Sequence, residues 1–173
     1  MSGTPTLAER CAAIEILVVD VDGVLTDGRI IYTDGGTEIK AFHVRDGSGL
    51  VFWQKLGKQV VILSGRKSKA VDVRAQELGI RLVRQGSADK AAAFRQLLVQ
   101  LGLRAEQAAV VGDDLPDLPV LRAAGLAVAV ADACTEVRAV AHHVTVAHGG
   151  RGAVREVIEM ILKHQGRWDS VVG

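Results

Sequence analysis

Two aspartates two residues apart, Asp20 and Asp22, close an apolar run and are followed by Gly23-Val24-Leu25-Thr26-Asp27-Gly28. Further along lie Ser64-Gly65-Arg66, then Lys90 ahead of three alanines, then Gly112-Asp113-Asp114-Leu115-Pro116-Asp117. Taken singly these are weak signals: a serine at a strand end often caps a helix, and Asp-Asp-x-Pro-Asp can simply initiate one. Together they supply carboxylates, a hydroxyl and an ammonium. Carboxylates crowded without a cation repel and take up protons, which a divalent ion relieves. Hard oxygen ligands select Mg²⁺, which favours one or two carboxylates with waters and substrate phosphate. An aspartate, with a reference pKa of about 3.9, is ionised at neutral pH and needs no base to attack a phosphorus whose charge is offset. Asp22 suits the proton transfers, to the leaving oxygen and then from the attacking water. Ser64 and Lys90 suit the transferring phosphoryl oxygens, one by hydrogen bond and one by charge.

For these residues to meet, the chain must bring them to one edge of one sheet. Residues 14–20 form a β-branched, mostly apolar run, the pattern of a strand covered on both faces, and similar runs recur at 59–63, 80–83, 108–111, 126–130 and 144–146. Helical patterns lie between them, at 49–56, 68–78, 88–101, 118–124, 135–141 and 152–164. Strand then helix, repeated, predicts a right-handed, doubly wound α/β fold with a parallel sheet, whose ligands sit at the carboxyl ends of the strands. One segment breaks the rhythm: residues 29–33 and 37–42 around Asp34-Gly35-Gly36 read as a β-hairpin flap, about 28–42, after the first strand. Gln165 to Gly173 reads as a tail that orders only against something else.

The 173 residues fit one domain over 1–173, with 49% hydrophobic and 24% charged residues as in globular proteins. A net charge of +1 without basic blocks, and only 3% aromatic residues, argue against nucleic acid as partner. The apolar runs are far shorter than the roughly 18 residues of a membrane helix. Charges at Glu9, Arg10, Glu15 and Asp20 interrupt any signal-peptide core, so a cytoplasmic protein is expected, with Cys11 and Cys134 as reduced thiols.

The stretch Asp20 to Thr26, with Ser64, Lys90 and Gly112 to Asp117, resembles the four signature motifs of the haloacid dehalogenase superfamily of phosphatases. Phe42-His43-Val44-Arg45-Asp46-Gly47, Ser64-Gly65-Arg66-Lys67, Val128 to Ala133 and Gly149 to Glu156 are similar to the 3-deoxy-D-manno-octulosonate 8-phosphate phosphatase family of lipopolysaccharide precursor synthesis, over about Ile14 to Arg167. The resemblance implies Asp20 as nucleophile and Mg²⁺ ligand, Asp22 as acid/base with its backbone carbonyl on the metal, and Asp113 as the other carboxylate ligand. It implies Asp114 and Asp117 as supports of that metal site, and substrate contacts at His43, Val44, Arg45, Asp46, Gly47, Arg66, Arg74 and Lys90. It departs at two places, His43 for Asn and Val51 for Arg. It further implies a homotetramer.

From its own surroundings Arg74 reads as a surface residue, and His43 equally as a substrate contact or a structural hydrogen-bonder. Arg45, Arg66 and Arg151 lie beside or near glycines, where a guanidinium can fork onto the phosphate and carboxylate of an acidic sugar phosphate. The intervals from Asp22 to Ser64 and from Lys90 to Asp113 are too short for a cap domain, so flaps and the segment after Gly149 are expected at subunit interfaces, and truncation after Ala147 to spare the fold. Three alternatives stay open: a phosphatase of a nonulosonate (sialic-acid-type) 9-phosphate, a phospho-acceptor receiver module, and a catalytically silent scaffold. Receivers put their acidic pair and the phosphorylated aspartate on different strands, whereas Asp20 and Asp22 share one strand end.

Overall fold

The computed structural model describes residues 4–173; residues 1–3 of the expected single domain lie outside the described residues. In chain order the elements are α1 (Leu7–Ala13), β1 (Ile16–Val19), β2 (Ile31–Tyr32), β3 (Glu38–Ile39), α2 (Val44–Lys55), β4 (Gln59–Leu63), α3 (Lys69–Glu77), β5 (Leu82–Arg84), α4 (Lys90–Leu101), β6 (Ala108–Gly112), α5 (Leu118–Ala123), β7 (Leu126–Ala129), α6 (Thr135–Val140), β8 (His143–Val144), α7 (Ala153–His164) and α8 (Asp169–Val172). Six strands form one parallel sheet in the order β5-β4-β1-β6-β7-β8. The chain runs outward from β1 through β4 to β5, then returns to β6 on the other side of β1. That reversal opens a crevice at the carboxyl ends of β1 and β6.

Every residue of β1 and β6 is buried, as strands covered on both faces require. Helices α1, α2 and α7 pack together, and α4, α5 and α6 form a second group. Helix α7 turns Val154, Val157, Ile158, Ile161 and Leu162 into the core, all with zero exposure. Their spacing of three and four residues makes one continuous apolar stripe.

The expected boundaries need four corrections. Helix α1 was not foreseen; Thr6 starts it through a capping box, its hydroxyl accepting from Glu9 N–H (3.3 Å) while the Glu9 carboxylate takes Thr6 N–H (2.7 Å). Helix α2 begins at Val44 rather than at Gly49. Glycine disfavours an isolated helix, but at position 49 it lets α7 approach: a Cβ there would lie 3.1 Å from the Arg155 side chain. The flap strands shrink to two residues each, Ile31 opposite Ile39 and Tyr32 opposite Glu38. The expected free tail instead packs on its own chain, with the Gln165 amide donating to the carbonyls of Cys11 (2.8 Å) and Ile14 (3.0 Å) and Trp168 lying 5.1 Å from the Arg155 guanidinium.

Candidate active site

Where β1 ends, Asp20 N–H donates to the Val111 carbonyl at 3.2 Å, so the β1 and β6 loops leave the sheet side by side. The chain then makes a wide turn over Val21–Leu25, closed by Thr26 N–H on the Val21 carbonyl at 3.0 Å. Gly23 sits at φ +90°, and a Cβ on it would come within 2.0 Å of Asp113 Oδ2. Glycine is what lets the two acidic loops close on each other.

Lys90, the first residue of α4, reaches in from a third loop. Its ammonium donates to Asp20 Oδ1 (2.8 Å) and Asp117 Oδ1 (2.7 Å), while Asp117 Oδ2 accepts the Asp113 N–H (3.1 Å). Asp89 fixes the start of α4 by accepting the Ala92 N–H at 2.8 Å. Ser64, buried just past β4, lines the same cleft, and its hydroxyl accepts the Arg66 N–H at 3.3 Å. The cleft holds about 290 Å³ and is bounded by Asp20, Asp22, Gly28, Ser64, Gly65, Arg66, Lys90, Asp113, Asp114, Pro116 and Asp117.

Oxygens of Asp20, Asp113 and Asp117 lie within 4.8 Å of one another. Burial, then repulsion from Asp117, pushes the Asp20 carboxyl up to about 6 in spite of Lys90. Burial, then the charges of Asp20, Asp117 and Asp114, pushes Asp113 up to about 8. Burial works against the Lys90 ammonium, but Asp20 and Asp117 outweigh it and raise its pKa. A single lysine thus leaves a surplus of negative charge, and the donors around it are carboxylate oxygens. That set fits a hard divalent cation. Asp117 is already held on both oxygens, which leaves Asp20 and Asp113 freer to ligate.

The residues expected against substrate divide into groups. Arg66 lines the carboxylate cleft with Ser64 and Lys90. His43, Asp46, Gly47 and Arg74 line a separate narrow crevice with Leu25, Phe42 and Leu50. Asp46 is 1% exposed and accepts N–H groups of Gly152 (3.2 Å) and Arg155 (2.8 Å), capping α7 with both of its oxygens. Arg74 lies over the Phe42 ring at 5.9 Å and pairs with Glu77 at 3.2 Å, apart from the carboxylates. Val44 and Arg45 are exposed on the first turn of α2, and Arg45 borders a surface depression with Arg151 and Arg155. Asp114 is exposed at the cleft rim.

The segment that begins at Gly149 packs against the turn after β1. A Cβ on Gly149 would stand 1.7 Å from the Gly23 carbonyl oxygen, and Gly150 N–H donates to the Val24 carbonyl at 2.8 Å. With the apolar stripe of α7 buried behind it, truncation after Ala147 would remove core rather than trim a surface. Sequence reasoning also missed Glu38 and Lys40. The Lys40 ammonium is in contact with Asp22 Oδ1 and lies 3.4 Å from Glu38, and Arg66 donates to Glu38 at 2.7 Å. Their spacing of two puts both on one face of an extended segment, but spacing alone does not say that this face turns inward.

A family model described as haloacid dehalogenase-like hydrolase matches residues 81–158. The 3-deoxy-D-manno-octulosonate 8-phosphate phosphatase of Yersinia pestis is 46% identical over 165 residues, covering 95% of this chain and 88% of that protein. The chain belongs to the 3-deoxy-D-manno-octulosonate 8-phosphate phosphatase family. The family member of Escherichia coli (strain K12) is 47% identical over 160 residues, covering 92% and 85% of the two chains. The crystal structure of the Moraxella catarrhalis member, in complex with magnesium ion, phosphate ion and KDO, superposes with a TM-score of 0.93 at 45% identity and covers 95% of each chain. The capless α/β architecture is therefore shared with a solved member of the family.

Proposed function

We propose that the chain is a Mg²⁺-dependent phosphatase that hydrolyses 3-deoxy-D-manno-octulosonate 8-phosphate to the free sugar acid and phosphate, in the synthesis of lipopolysaccharide precursors. The observation that carries the reading is the convergence of Asp20, Asp113 and Asp117 on Lys90 at the sheet's switch point, with Asp22 lining the same cleft. Bound Mg²⁺, held by Asp20, Asp113 and the Asp22 backbone carbonyl, would offset the negative charge of carboxylate and phosphate and so permit their approach. Lys90 fixes Asp20 through Oδ1. The Asp20 carboxylate attacks phosphorus, and the P–O bond to the sugar breaks as Asp22 gives its proton to the departing oxygen. Asp22 then takes a proton from the water that attacks the aspartyl-phosphate, which frees phosphate and regenerates Asp20. Ser64 and Lys90 hold the transferring oxygens, Asp114 and Asp117 support the acidic loop, and Arg66 takes the sugar's carboxylate. The names borne by its relatives favour the eight-carbon ester over a nonulosonate 9-phosphate.

Four apolar flap residues, Ile30, Ile31, Tyr32 and Ile39, are 42 to 59% exposed, which supports a homotetramer with flaps, and the outer side of the C-terminal segment, at subunit interfaces. Free Cys11 and Cys134 are in keeping with a cytoplasmic location. A panel of sugar phosphates assayed with the wild type beside Asp20→Asn tests the reaction. Turnover of the octulosonate ester by the wild type, its loss in the variant and a phosphoryl group trapped on Asp20 are expected; a variant as fast as wild type would refute the scheme.

A further inference from the structure

Asp22 and Arg66 are joined to the flap by a closed ring of alternating charge. Lys40 contacts Asp22 and lies 3.4 Å from Glu38; Arg66 Nη2 donates to Glu38 Oε1 at 2.7 Å; Arg66 Nη1 lies 3.6 Å from Asp22 Oδ2. Lys40 and Glu38 both belong to the strand-and-exit segment of the hairpin, and their side chains are only 1% and 15% exposed although the hairpin itself is a surface feature. Among the described residues, the bond to Glu38 is the one side-chain hydrogen bond that Arg66 donates, since its Nη1 is enclosed without a hydrogen-bond partner.

We propose that Glu38 is a positioning residue that sets substrate specificity: by gripping one edge of Arg66 it holds the guanidinium at the cleft for the carboxylate of an acidic sugar phosphate. The inference rests on the functional reading above, in which Arg66 receives that carboxylate. An arginine side chain carries large rotamer freedom, and a partner that restrains it beforehand lowers the entropic cost of binding. A carboxylate beside an anion site also repels the ligand, so two effects of opposite sign compete. Lys40 decides between them, because its ammonium lies 3.4 Å from the same Glu38 oxygen that Arg66 holds. The charge of Glu38 is therefore matched within the ring, and its anchoring role prevails.

The test compares kcat/KM for the octulosonate ester with that for a carboxylate-free aryl phosphate, in saturating Mg²⁺, for wild type, Glu38→Ala and Glu38→Gln. The ratio of the two should fall about tenfold in Glu38→Ala, chiefly through KM for the sugar ester, and stay within about threefold of wild type in Glu38→Gln, which keeps an acceptor oxygen. In an Arg66→Ala background, Glu38→Ala should change the ratio no further, since the residue acts through Arg66. An unchanged or increased ratio in Glu38→Ala, a Glu38→Gln as impaired as the alanine variant, or a further fall in the Arg66→Ala background overturns the assignment. If Glu38→Ala fails to fold, Glu38→Met, which keeps the side chain's length and removes the acceptor, takes its place with the same expected and overturning outcomes. A wild type inert on the sugar ester refutes the functional reading and takes this inference with it, whereas an active wild type with indifferent Glu38 variants refutes the inference alone.

Discussion

Asp20 and Asp113 face one another across the cleft with pKa values raised from 3.8 to about 6 and about 8, burial being the first cause for both. In metal-free protein the folded state therefore holds protons that the unfolded chain has released. Stability supplied by that proton binding is fully present below about pH 4 and is lost as pH rises through 6 and then 8. Thermal melts of metal-free protein should show Tm falling from pH 5 to pH 8, and saturating Mg²⁺ should flatten the decline; a metal-free Tm that climbs across this range contradicts the account. Gly23 gives a second prediction, because a methyl group there would overlap Asp113. Gly23→Ala should cost about a hundredfold or more in kcat/KM by displacing the acidic loop, measured beside a far-UV spectrum that shows the sheet intact. The acidic motif residues, Ser64 and Lys90 were legible because carboxylates, hydroxyl and ammonium at successive strand ends have few other reasons to coincide. Glu38 and Lys40 were not, since charges on a hairpin ordinarily face water. The capping role of Asp46 was hidden for a related reason: residue type identifies a carboxylate but not the helix end at which it points.

Among the elements, α7 ties the core to the catalytic turn. Ile158 has zero exposure, so Ile158→Ala should destabilise the fold by about 2–5 kcal/mol in urea unfolding. Removing everything after Ala147 deletes the whole buried stripe of α7, and the truncated chain should fail to give a cooperative melt rather than fold with reduced activity. The central strands were readable from their β-branched runs, which have little choice but burial. The start of α2 was not, because Gly47 and Gly49 lower local helix propensity and only packing against Arg74 and α7 reveals why they are there. Helix α1 was missed although Thr6 and Glu9 carry a capping box, because a helix of seven residues has too few apolar positions to establish a period.

At the scale of the molecule, no cap domain is found among the described residues, and the hairpin reaches the cleft through the contacts of Glu38 and Lys40 with Arg66 and Asp22. The proposed homotetramer places the exposed apolar residues of the flap between subunits. Tyr32→Lys together with Ile39→Lys should shift the protein toward smaller species in analytical ultracentrifugation; an unchanged sedimentation coefficient would show that association uses another face. The doubly wound architecture was legible as a repeating order of strand and helix, but the packing of Gly149 and Gly150 on the turn after β1 was not, because periodicity carries no information about contacts between distant loops. The contact of Gly149 and Gly150 with the turn at Gly23 and Val24 joins segments far apart in sequence beside the acidic cleft. A side chain added at either glycine would therefore be felt at the turn that carries Asp22, across most of the chain's length.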